Sequence, residues 1–467
     1  MIAPCPRIVI AATHSGTGKT SLSLALVAAL RRRGMQVQTF KVGPDFLDPT
    51  YHTIVSGRPC YNLDGWMTGR EYVRELFART SADADIAIIE GVMGLFDGAD
   101  AESSEGSTAE IAEWLDAPVL LVVNAHGVAR SIAAMVKGFA GFEPDLSVAG
   151  VVANQCGSDR HSAWLSDSLK SESLPPMVGA VPRGAFPELP SRHLGLVSAD
   201  SRVLPENVID KLADAAERYV SIDDVLNIAR SAAPIELASV ERPEIESRVR
   251  IGVASDEAFH FYYQDMFDEM TIRGCELVEF SPVSDTHLPD GLDGLYIGGG
   301  YPEVCVEALS ANKSMLDSIR RFAQANKPIY AECGGLMYLS EGLKTLDGKR
   351  YELVGLLPSW TRMREKKKAL GYVEITLNED SLWGARGDVL RGHEFHYSEL
   401  IENPDAADWK PVYDLKRRRS DEITYEGFQN GNILASYAHL HYGSKPNAIE
   451  RFISKCEAAR GEYALDE

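Results

Sequence analysis

Residues 8–21 read Ile-Val-Ile-Ala-Ala-Thr-His-Ser-Gly-Thr-Gly-Lys-Thr-Ser, and this stretch decides the fold of the first half of the chain. The apolar run Ile8–Ala12 predicts a buried strand, and a helix-forming stretch follows it to Arg33. The glycines between them let backbone amides point at phosphate oxygens, and the start of a helix adds a favourable dipole. Thr13 replaces the first glycine of the phosphate-loop pattern, but the flanking strand and helix support that interpretation. The predicted ATP-binding residues of this loop are Gly16, Thr17, Gly18, Lys19, Thr20 and Ser21.

Apolar runs and helical stretches alternate through the rest of this half. Such alternation is typical of an α/β fold with a doubly wound parallel sheet, in which ligands bind beyond the carboxyl ends of the strands. Asn154 follows one of these runs, where related nucleotide-binding sheets recognise the base, and we include it among the ATP-binding residues. The predicted strands are Ile8–Ala12, Val37–Val42, Ile86–Ile89, Val119–Val123 and Val148–Val152.

Acidic side chains follow two of these predicted strands. Glu90 ends the run Ile86–Ile89 and precedes a glycine-containing turn, as the metal-binding acid of a Walker B element does. Asp45 lies just beyond Val37–Val42, where it could bind Mg²⁺, position a substrate or simply form a turn with solvated charges. We predict that Thr20, Asp45 and Glu90 hold Mg²⁺.

The regular pattern stops between Ser231 and Ser247, which contain Ser-Ala-Ala-Pro and Glu-Arg-Pro-Glu. We predict a first domain at residues 1–232, a linker at 233–247 and a second α/β domain at 248–467. Its predicted strands are Val249–Ala254, Leu277–Phe280, Gly294–Ile297 and Pro328–Ala331, and its predicted helices lie near Tyr262–Thr271, Val304–Ala325 and Gly335–Ser340.

A cysteine nucleophile is predicted at Cys333, between a strand-like run and a helical stretch that begins with two glycines. Such an elbow exposes a thiol at a helix N-terminus, where the dipole favours the thiolate. The nucleophile needs a base, and either His439 or His441 could supply it. Backbone amides of an oxyanion hole are predicted at Gly299, Gly300 and Gly334.

Composition excludes several classes of protein. The formal net charge of -21 argues against nucleic acid and anionic lipid as partners. The longest apolar run, Ala117–Val123, is too short to cross a membrane, and Met1–Ile10 lack the pattern of a signal peptide. Seven scattered cysteines favour a reducing compartment. We therefore expect a cytoplasmic protein without a membrane or nucleic-acid partner.

Together these motifs resemble the cobyrinate a,c-diamide synthase family of cobalamin biosynthesis. The first half is similar to dethiobiotin-synthetase-like ATPase domains, through the phosphate loop, Gly43-Pro44-Asp45 with Asp48 and His52, and Glu90–Gly98. The second half is similar to class I glutamine amidotransferase domains, through Gly298–Glu303, Glu332–Gly335, Arg391–Ser398 and Ser436–His441.

The resemblance implies an ATP- and glutamine-dependent ligase that uses Mg²⁺ to amidate a tetrapyrrole polycarboxylate through an acyl phosphate. It implies that Cys333 and His439 are catalytic. It also implies that Lys41, Asp48, His52 and Asp97 position the substrate or the acyl phosphate. Wider class I glutaminases usually carry an acid two residues after the catalytic histidine, but His441 stands there, so a Cys333–His439 dyad and a triad both stay open.

Two kinds of alternative remain at this stage. Ni-sirohydrochlorin or hydrogenobyrinate could replace cobyrinate, since the same two-domain plan serves them. A phosphate-loop switch of the partitioning type would explain the first half but not the elbow cysteine. The resemblance also allows a homodimer without requiring one.

Overall fold

The computed structural model describes residues 2–3, 5–189, 191–192, 195–196, 203–236 and 246–463. The chain divides into two compact units, Met1–Val240 and Glu241–Glu467. This division falls within the predicted linker 233–247, of which residues 237–245 lie outside the described part of the chain. The exact domain limits stay a prediction.

The first unit contains a seven-stranded sheet in which every pairing is parallel. The strands are β1 Arg7–Ala12, β2 Val37–Val42, β3 Tyr61–Leu63, β4 Ile86–Glu90, β5 Val119–Asn124, β6 Val148–Cys156 and β7 Met177–Pro182. The sheet order is β3-β2-β4-β1-β5-β6-β7. All five predicted strands are present, and the two additional strands, β3 and β7, form the edges.

Helices cover both faces of this sheet, because successive side chains of a strand point to opposite faces. Ile8 and Ile10 pack in one apolar cluster with the helix α1, Lys19–Arg32, whereas Val9 packs in the other with the helix Arg70–Thr80. The predicted doubly wound fold is therefore confirmed. The remaining helices are α2 Asp48–Ser56 and then Gly65–Thr68, Thr108–Trp114, Ser131–Ala140, Asp159–Ser171, Glu206–Tyr219 and Ile222–Arg230. Short strand pairs join Ile2–Ala3 to Ile235–Glu236 and Ser191–Arg192 to Gly195–Leu196.

The second unit is built on a ten-stranded mixed sheet, ordered β9-β8-β10-β11-β16-β15-β14-β12-β13-β17. Neighbours are parallel from β9 to β16 and antiparallel from β16 to β17. The strands are β8 Val249–Ala254, β9 Cys275–Phe280, β10 Gly294–Ile297, β11 Ile329–Glu332, β12 Ala369–Leu377, β13 Val389–His396, β14 Lys410–Arg417, β15 Ile423–Asn430, β16 Ile433–Ser436 and β17 His439–His441.

Smaller elements complete this unit. A four-stranded sheet contains Ser340–Lys344, Arg350–Glu352, Leu357–Met363 and Ser398–Leu400, and Phe259–Phe261 pairs with Gly299–Gly300. The α-helices are Gln264–Ile272, Val306–Ala311, Lys313–Gln324, Gly334–Leu339 and Asn447–Tyr463, with 3₁₀ turns at Pro404–Ala407 and Tyr442–Ser444.

The single helix predicted over Val304–Ala325 is wrong. Asn312 has non-helical dihedral angles, φ -79° and ψ 64°, and separates two helices. Its side chain accepts a hydrogen bond from the Met315 amide, which caps the second helix. It also donates to the Pro282 and Asp285 carbonyls, and these tertiary contacts hold Asn312 at the break between the two helices. The helix predicted from Tyr262 begins at Gln264 instead, after the strand Phe259–Phe261. Across the described residues, every helix is too short or too polar to span a bilayer.

Candidate active sites

The phosphate loop connects the end of β1 to the start of α1. Gly16 and Gly18 have φ values of 80° and 95°, in the left-handed region that favours glycine. A Cβ atom on Gly18 would also lie 2.4 Å from the side-chain nitrogen, Nδ2, of Asn154. The loop conformation therefore requires a glycine at position 18.

Glu90, at the end of β4, is the centre of the first site. Thr20 Oγ1 donates to Glu90 Oε1 at 2.6 Å, and Lys41 Nζ lies 3.1 Å from the same oxygen. His52 Nε2 lies 2.6 Å from Glu90 Oε2. Burial would raise the pKa of Glu90, but Lys41 and His52 hold it well below its usual range. Three residues that are distant from one another in sequence thus surround one ionised carboxylate.

Asp48 is the second acid that Lys41 contacts, with Oδ2 2.7 Å from Lys41 Nζ. Burial and the negative charge of Asp45 raise the pKa of Asp48 to about 8. Asp45 Oδ1 itself accepts hydrogen bonds from the backbone amides of Leu47 and Asp48, at 2.8 and 3.1 Å. These bonds agree with the interpretation of this segment as a turn. Its role in binding a metal or substrate stays a prediction.

Lys19 connects the phosphate loop to the turn after β4, and Asp97 forms a hydrogen bond within that turn. Lys19 Nζ donates to the Met93 carbonyl at 2.5 Å, and Asp97 Oδ2 accepts the Gly94 amide at 2.8 Å. Burial and the positive charge of Lys41 lower the pKa of Lys19 to about 8. The Lys19 ammonium group, which we predict to bind the outer phosphates, therefore lies close enough to Glu90, Asp48 and Asp97 to feel their charges.

Asn154 is buried at the carboxyl end of β6 and contacts the loop directly. Its Nδ2 donates to the Thr17 carbonyl at 2.7 Å, so its side chain supports the phosphate loop in this structure. Recognition of the nucleotide base by Asn154 stays a prediction. The half-buried Ser21 lies in the first turn of α1, one residue after Thr20.

The residues around Glu90 suit Mg²⁺ by their chemistry. The hydroxyl of Thr20 and the carboxylates of Asp45, Asp48 and Glu90 are hard oxygen ligands. Burial and then the charge of Asp45 raise the pKa of Asp48, and a cation would offset the second of these effects. Within the described ranges, no cluster of three or more His, Cys, Asp or Glu side chains has metal-binding geometry. Mg²⁺ usually needs only one or two carboxylates beside substrate phosphates and water.

Cys333 lies at a sharp turn between β11 and the helix Gly334–Leu339. Its dihedral angles, φ 48° and ψ -97°, are strained for a residue with a side chain, as expected of a nucleophile elbow. The Cys333 amide donates to the Ser436 carbonyl at 2.7 Å. The expected exposure of the thiol is wrong: Cys333 is only 6% exposed, because β13 packs over it and places the Phe395 carbonyl 3.9 Å from Sγ.

The glycines predicted to form the oxyanion hole lie close to this elbow. A Cβ atom on Gly334 would lie 3.1 Å from the Gly300 nitrogen, and one on Gly299 would lie 2.5 Å from His439 Cε1. The two backbone segments and the His439 ring therefore approach one another as closely as glycine permits. Their role as hydrogen-bond donors stays a prediction.

The structure separates the two candidate bases. Burial would lower the pKa of His439, but Cys333 and Glu332, which both interact with its ring, raise it to about 10. His441 instead pairs with Asp265, its Nε2 lying 3.3 Å from Oδ2. This geometry favours His439 as the base for Cys333.

Glu332 is a site residue that sequence reasoning missed. It ends β11, directly before Cys333, and its Oε2 lies 3.8 Å from His439 Nδ1. The side chain is buried and accepts hydrogen bonds from Tyr296, Tyr330 and the Leu440 amide. The sequence did offer one signal for this residue, because Glu332 is an acid at the end of an otherwise apolar strand.

Curated relatives match this chain over nearly its whole length. A cobyrinate a,c-diamide synthase from Syntrophotalea carbinolica is 54% identical over 459 residues, which cover 98% of this chain and 99% of that protein. The chain belongs to the cobyrinate a,c-diamide synthase family. Family members of the same name from Priestia megaterium and Archaeoglobus fulgidus are 42% and 40% identical, covering 98% and 96% of this chain and 98% and 97% of those proteins.

Each half of this diamide synthase family member also matches a domain family. Residues 8–197 match the CobQ/CobB/MinD/ParA nucleotide binding domain, and residues 250–447 match the CobB/CobQ-like glutamine amidotransferase domain. The resemblance drawn from the motifs is confirmed, as is the expected ligase class. A phosphate-loop switch would leave the second match unexplained, so the chain is an ATP-using glutamine amidotransferase.

Proposed function

We propose that this chain amidates the a and c side-chain carboxylates of cobyrinate, using ATP and ammonia taken from glutamine. The observation that carries this proposal is the presence of two complementary sites in one chain. The first unit gathers a phosphate loop and acidic side chains around Glu90, and the second holds Cys333 next to His439. Relatives that match the chain from end to end are named for this reaction.

The first unit would activate the substrate carboxylate. A carboxylate oxygen attacks the γ-phosphorus of ATP, ADP leaves, and an acyl phosphate forms. Lys19 and the loop amides would hold the phosphates, while Lys41, Asp48, His52 and Asp97 would position the carboxylate or the acyl phosphate. Mg²⁺, held by Thr20, Asp45 and Glu90, would neutralise charge on the phosphate oxygens.

The second unit would release ammonia from glutamine. His439 takes the thiol proton of Cys333, and the thiolate attacks the side-chain amide carbon. The imidazolium then returns this proton to the leaving nitrogen, so that ammonia departs and a thioester remains. Water hydrolyses the thioester to glutamate and restores the thiol. Gly299, Gly300 and Gly334 would stabilise the oxyanion in both steps.

The two half-reactions meet when ammonia attacks the acyl phosphate carbonyl and displaces phosphate. Each cycle converts one carboxylate into an amide, and two cycles give the a,c-diamide. The same chemistry would serve Ni-sirohydrochlorin or hydrogenobyrinate, which differ in the macrocycle or its metal. We place the reaction in the cytoplasm, since all seven cysteines are free thiols and a reducing compartment preserves them.

The decisive experiment offers cobyrinate, Ni-sirohydrochlorin and hydrogenobyrinate separately, with ATP, Mg²⁺ and glutamine, and measures product mass. We expect two amidations of cobyrinate and little turnover of the other macrocycles. Cys333→Ser should lose the reaction with glutamine but keep it with ammonium salts at alkaline pH. Preferred turnover of another macrocycle would change the substrate, and no amidation of any of them would refute the proposal.

A further inference from the structure

The buried carboxylate of Glu332 lies at the junction of the glutaminase nucleophile and its base. Tyr296 and Tyr330 hydroxyls donate to Glu332 Oε2 and Oε1, each at 2.8 Å, and the Leu440 amide donates to Oε1 at 3.1 Å. Burial and the charge of Glu332 raise the pKa of both tyrosines well above the usual value, so both hydroxyls keep their protons. All three partners donate, so the Glu332 carboxylate oxygens act as acceptors in every one of these hydrogen bonds.

Glu332 faces the side of His439 that a triad acid must face. Its Oε2 lies 3.8 Å from His439 Nδ1, while the same imidazole interacts with Cys333. The distance is longer than a hydrogen bond, as is common for catalytic groups before substrate binds. In a buried site, a carboxylate at this distance attracts an imidazolium strongly.

The other ionisable groups around His439 do not supply this charge. The ring of His393, on β13, stacks on that of His439 with centroids 5.0 Å apart, and its Nδ1 lies 3.0 Å from the Tyr263 hydroxyl. Burial and the neighbouring histidines lower the pKa of His393 well below its usual value, so it stays neutral. Asp265, on the helix Gln264–Ile272, pairs with His441.

We propose that Glu332 completes a Cys333–His439–Glu332 triad, acting through His439 as a positioning residue. This inference rests on the glutaminase half of the proposed function. The acid precedes the nucleophile in sequence, whereas wider class I glutaminases carry it after the histidine. Glu332 would fix the imidazole ring and stabilise the imidazolium that protonates the leaving ammonia.

The test compares Glu332→Gln, Glu332→Asp and Glu426→Gln in the full-length protein. Glu426 is the matched control, a second buried glutamate that bonds Ser436 Oγ and the Tyr437 amide, each at 2.6 Å. Glutamate release is measured with and without cobyrinate and ATP across the alkaline range. Amidation with ammonium salts, which does not need Cys333, reports whether each variant is folded.

We expect Glu332→Gln to lower the kcat of glutamate release by roughly 10- to 100-fold, part of the ~10²–10⁴ that general acid–base catalysis contributes, with KM nearly unchanged. The alkaline limb of its pH–rate profile for glutamate release should move to lower pH, because the His439 imidazolium has lost the carboxylate of Glu332. Glu332→Asp should restore part of both effects, and Glu426→Gln should leave the limb in place.

The proposal is overturned if Glu332→Gln keeps the wild-type kcat and alkaline limb, or if Glu426→Gln shifts the limb equally. If Glu332→Gln also loses the ammonium-dependent reaction, the Glu332→Asp variant decides the question. A reduced kcat of Glu332→Asp with an unshifted alkaline limb in its pH–rate profile would indicate that Glu332 has a structural role only. Wild-type protein that releases glutamate but amidates no macrocycle would refute the proposed substrate and leave the Glu332 test intact.

Discussion

Asp48 is a buried acid whose charge state should change with pH in the ligand-free protein. Burial and the charge of Asp45 raise its pKa to about 8, from an ordinary value of about 4. The folded state therefore binds more protons than the unfolded state between these values, and the free energy of unfolding falls as pH rises through that window. An uncharged asparagine at position 48 would not lower the free energy of unfolding in this way.

Asp48→Asn should therefore raise the melting temperature more at about pH 8.5 than at about pH 5. The measurement is thermal unfolding without ATP or Mg²⁺. Asp214→Asn is the control, since Asp214 is an exposed partner of Arg32 and surface pairs contribute little. An Asp48→Asn effect that is equal at both pH values would contradict the assigned cause.

Asn154 is expected to influence ATP binding through the loop that it supports. Asn154→Asp replaces the donor to the Thr17 carbonyl with an acceptor, and losing one hydrogen bond of about 1 kcal/mol should weaken ATP binding at least about fivefold. Isothermal titration with ATP and Mg²⁺ measures the change. Asn124→Asp adds the same charge on the neighbouring strand but keeps its acceptor for the His126 amide, so it should weaken binding less. Equal losses would assign the effect to charge alone.

At the scale of elements, the parallel strands other than the edge strands β3 and β7 were predictable, and the antiparallel strands were not. β1 is apolar from Ile8 to Ala12, and β8 is apolar from Ile251 to Ala254, because both faces of a parallel sheet are covered. In contrast, β12 alternates buried and partly exposed residues, and β14 contains charged residues and a proline. Short alternating patterns of this kind do not distinguish a strand from a loop without knowledge of the neighbouring strand.

The sites divide in the same way. Local patterns predicted the phosphate loop and the Cys333 elbow, since strand, glycines and helix are contiguous in sequence. The contact between Glu332 and His439 depends on β17, more than a hundred residues later, and no local pattern reports it. Likewise, the helix over Val304–Ala325 has a suitable composition throughout, and only the tertiary contacts of Asn312 with Pro282 and Asp285 show the break.

Asn312 should accordingly matter for stability although it is only half-buried. Asn312→Ala removes the cap of the helix Lys313–Gln324 and two hydrogen bonds to the loop near Asp285, which should cost about 1–2 kcal/mol. Urea unfolding followed by tryptophan fluorescence measures the loss. Lys313→Ala, which removes only an exposed ion pair with Glu352, should change stability little. If Asn312→Ala leaves the free energy of unfolding unchanged, the residues that flank Asn312 determine the break between the two helices.

At the scale of the whole molecule, the chain combines two units with separate chemistry. The unit Met1–Val240 contains the residues assigned to ATP, and the unit Glu241–Glu467 contains those assigned to glutamine. Lys19→Ala should therefore abolish amidation with both glutamine and ammonium salts, while iodoacetamide still alkylates Cys333. Cys333→Ser should abolish only the glutamine-dependent reaction. A Lys19→Ala variant that still amidates with ammonium salts would show that the phosphate loop does not serve the ligase step.

Mixing these two variants tests whether the ammonia released by one chain can serve another. Free ammonia is mostly protonated, and so unreactive, at neutral pH. The mixture should therefore recover only a small fraction of the wild-type rate with glutamine at neutral pH, and more at alkaline pH. Product mass measures the recovery, and glutamate dehydrogenase added with 2-oxoglutarate and NADPH, which together consume ammonium, should remove it. Full recovery at neutral pH that survives this trap would mean that glutaminase and ligase sites of different chains exchange ammonia efficiently, so that their covalent linkage is dispensable.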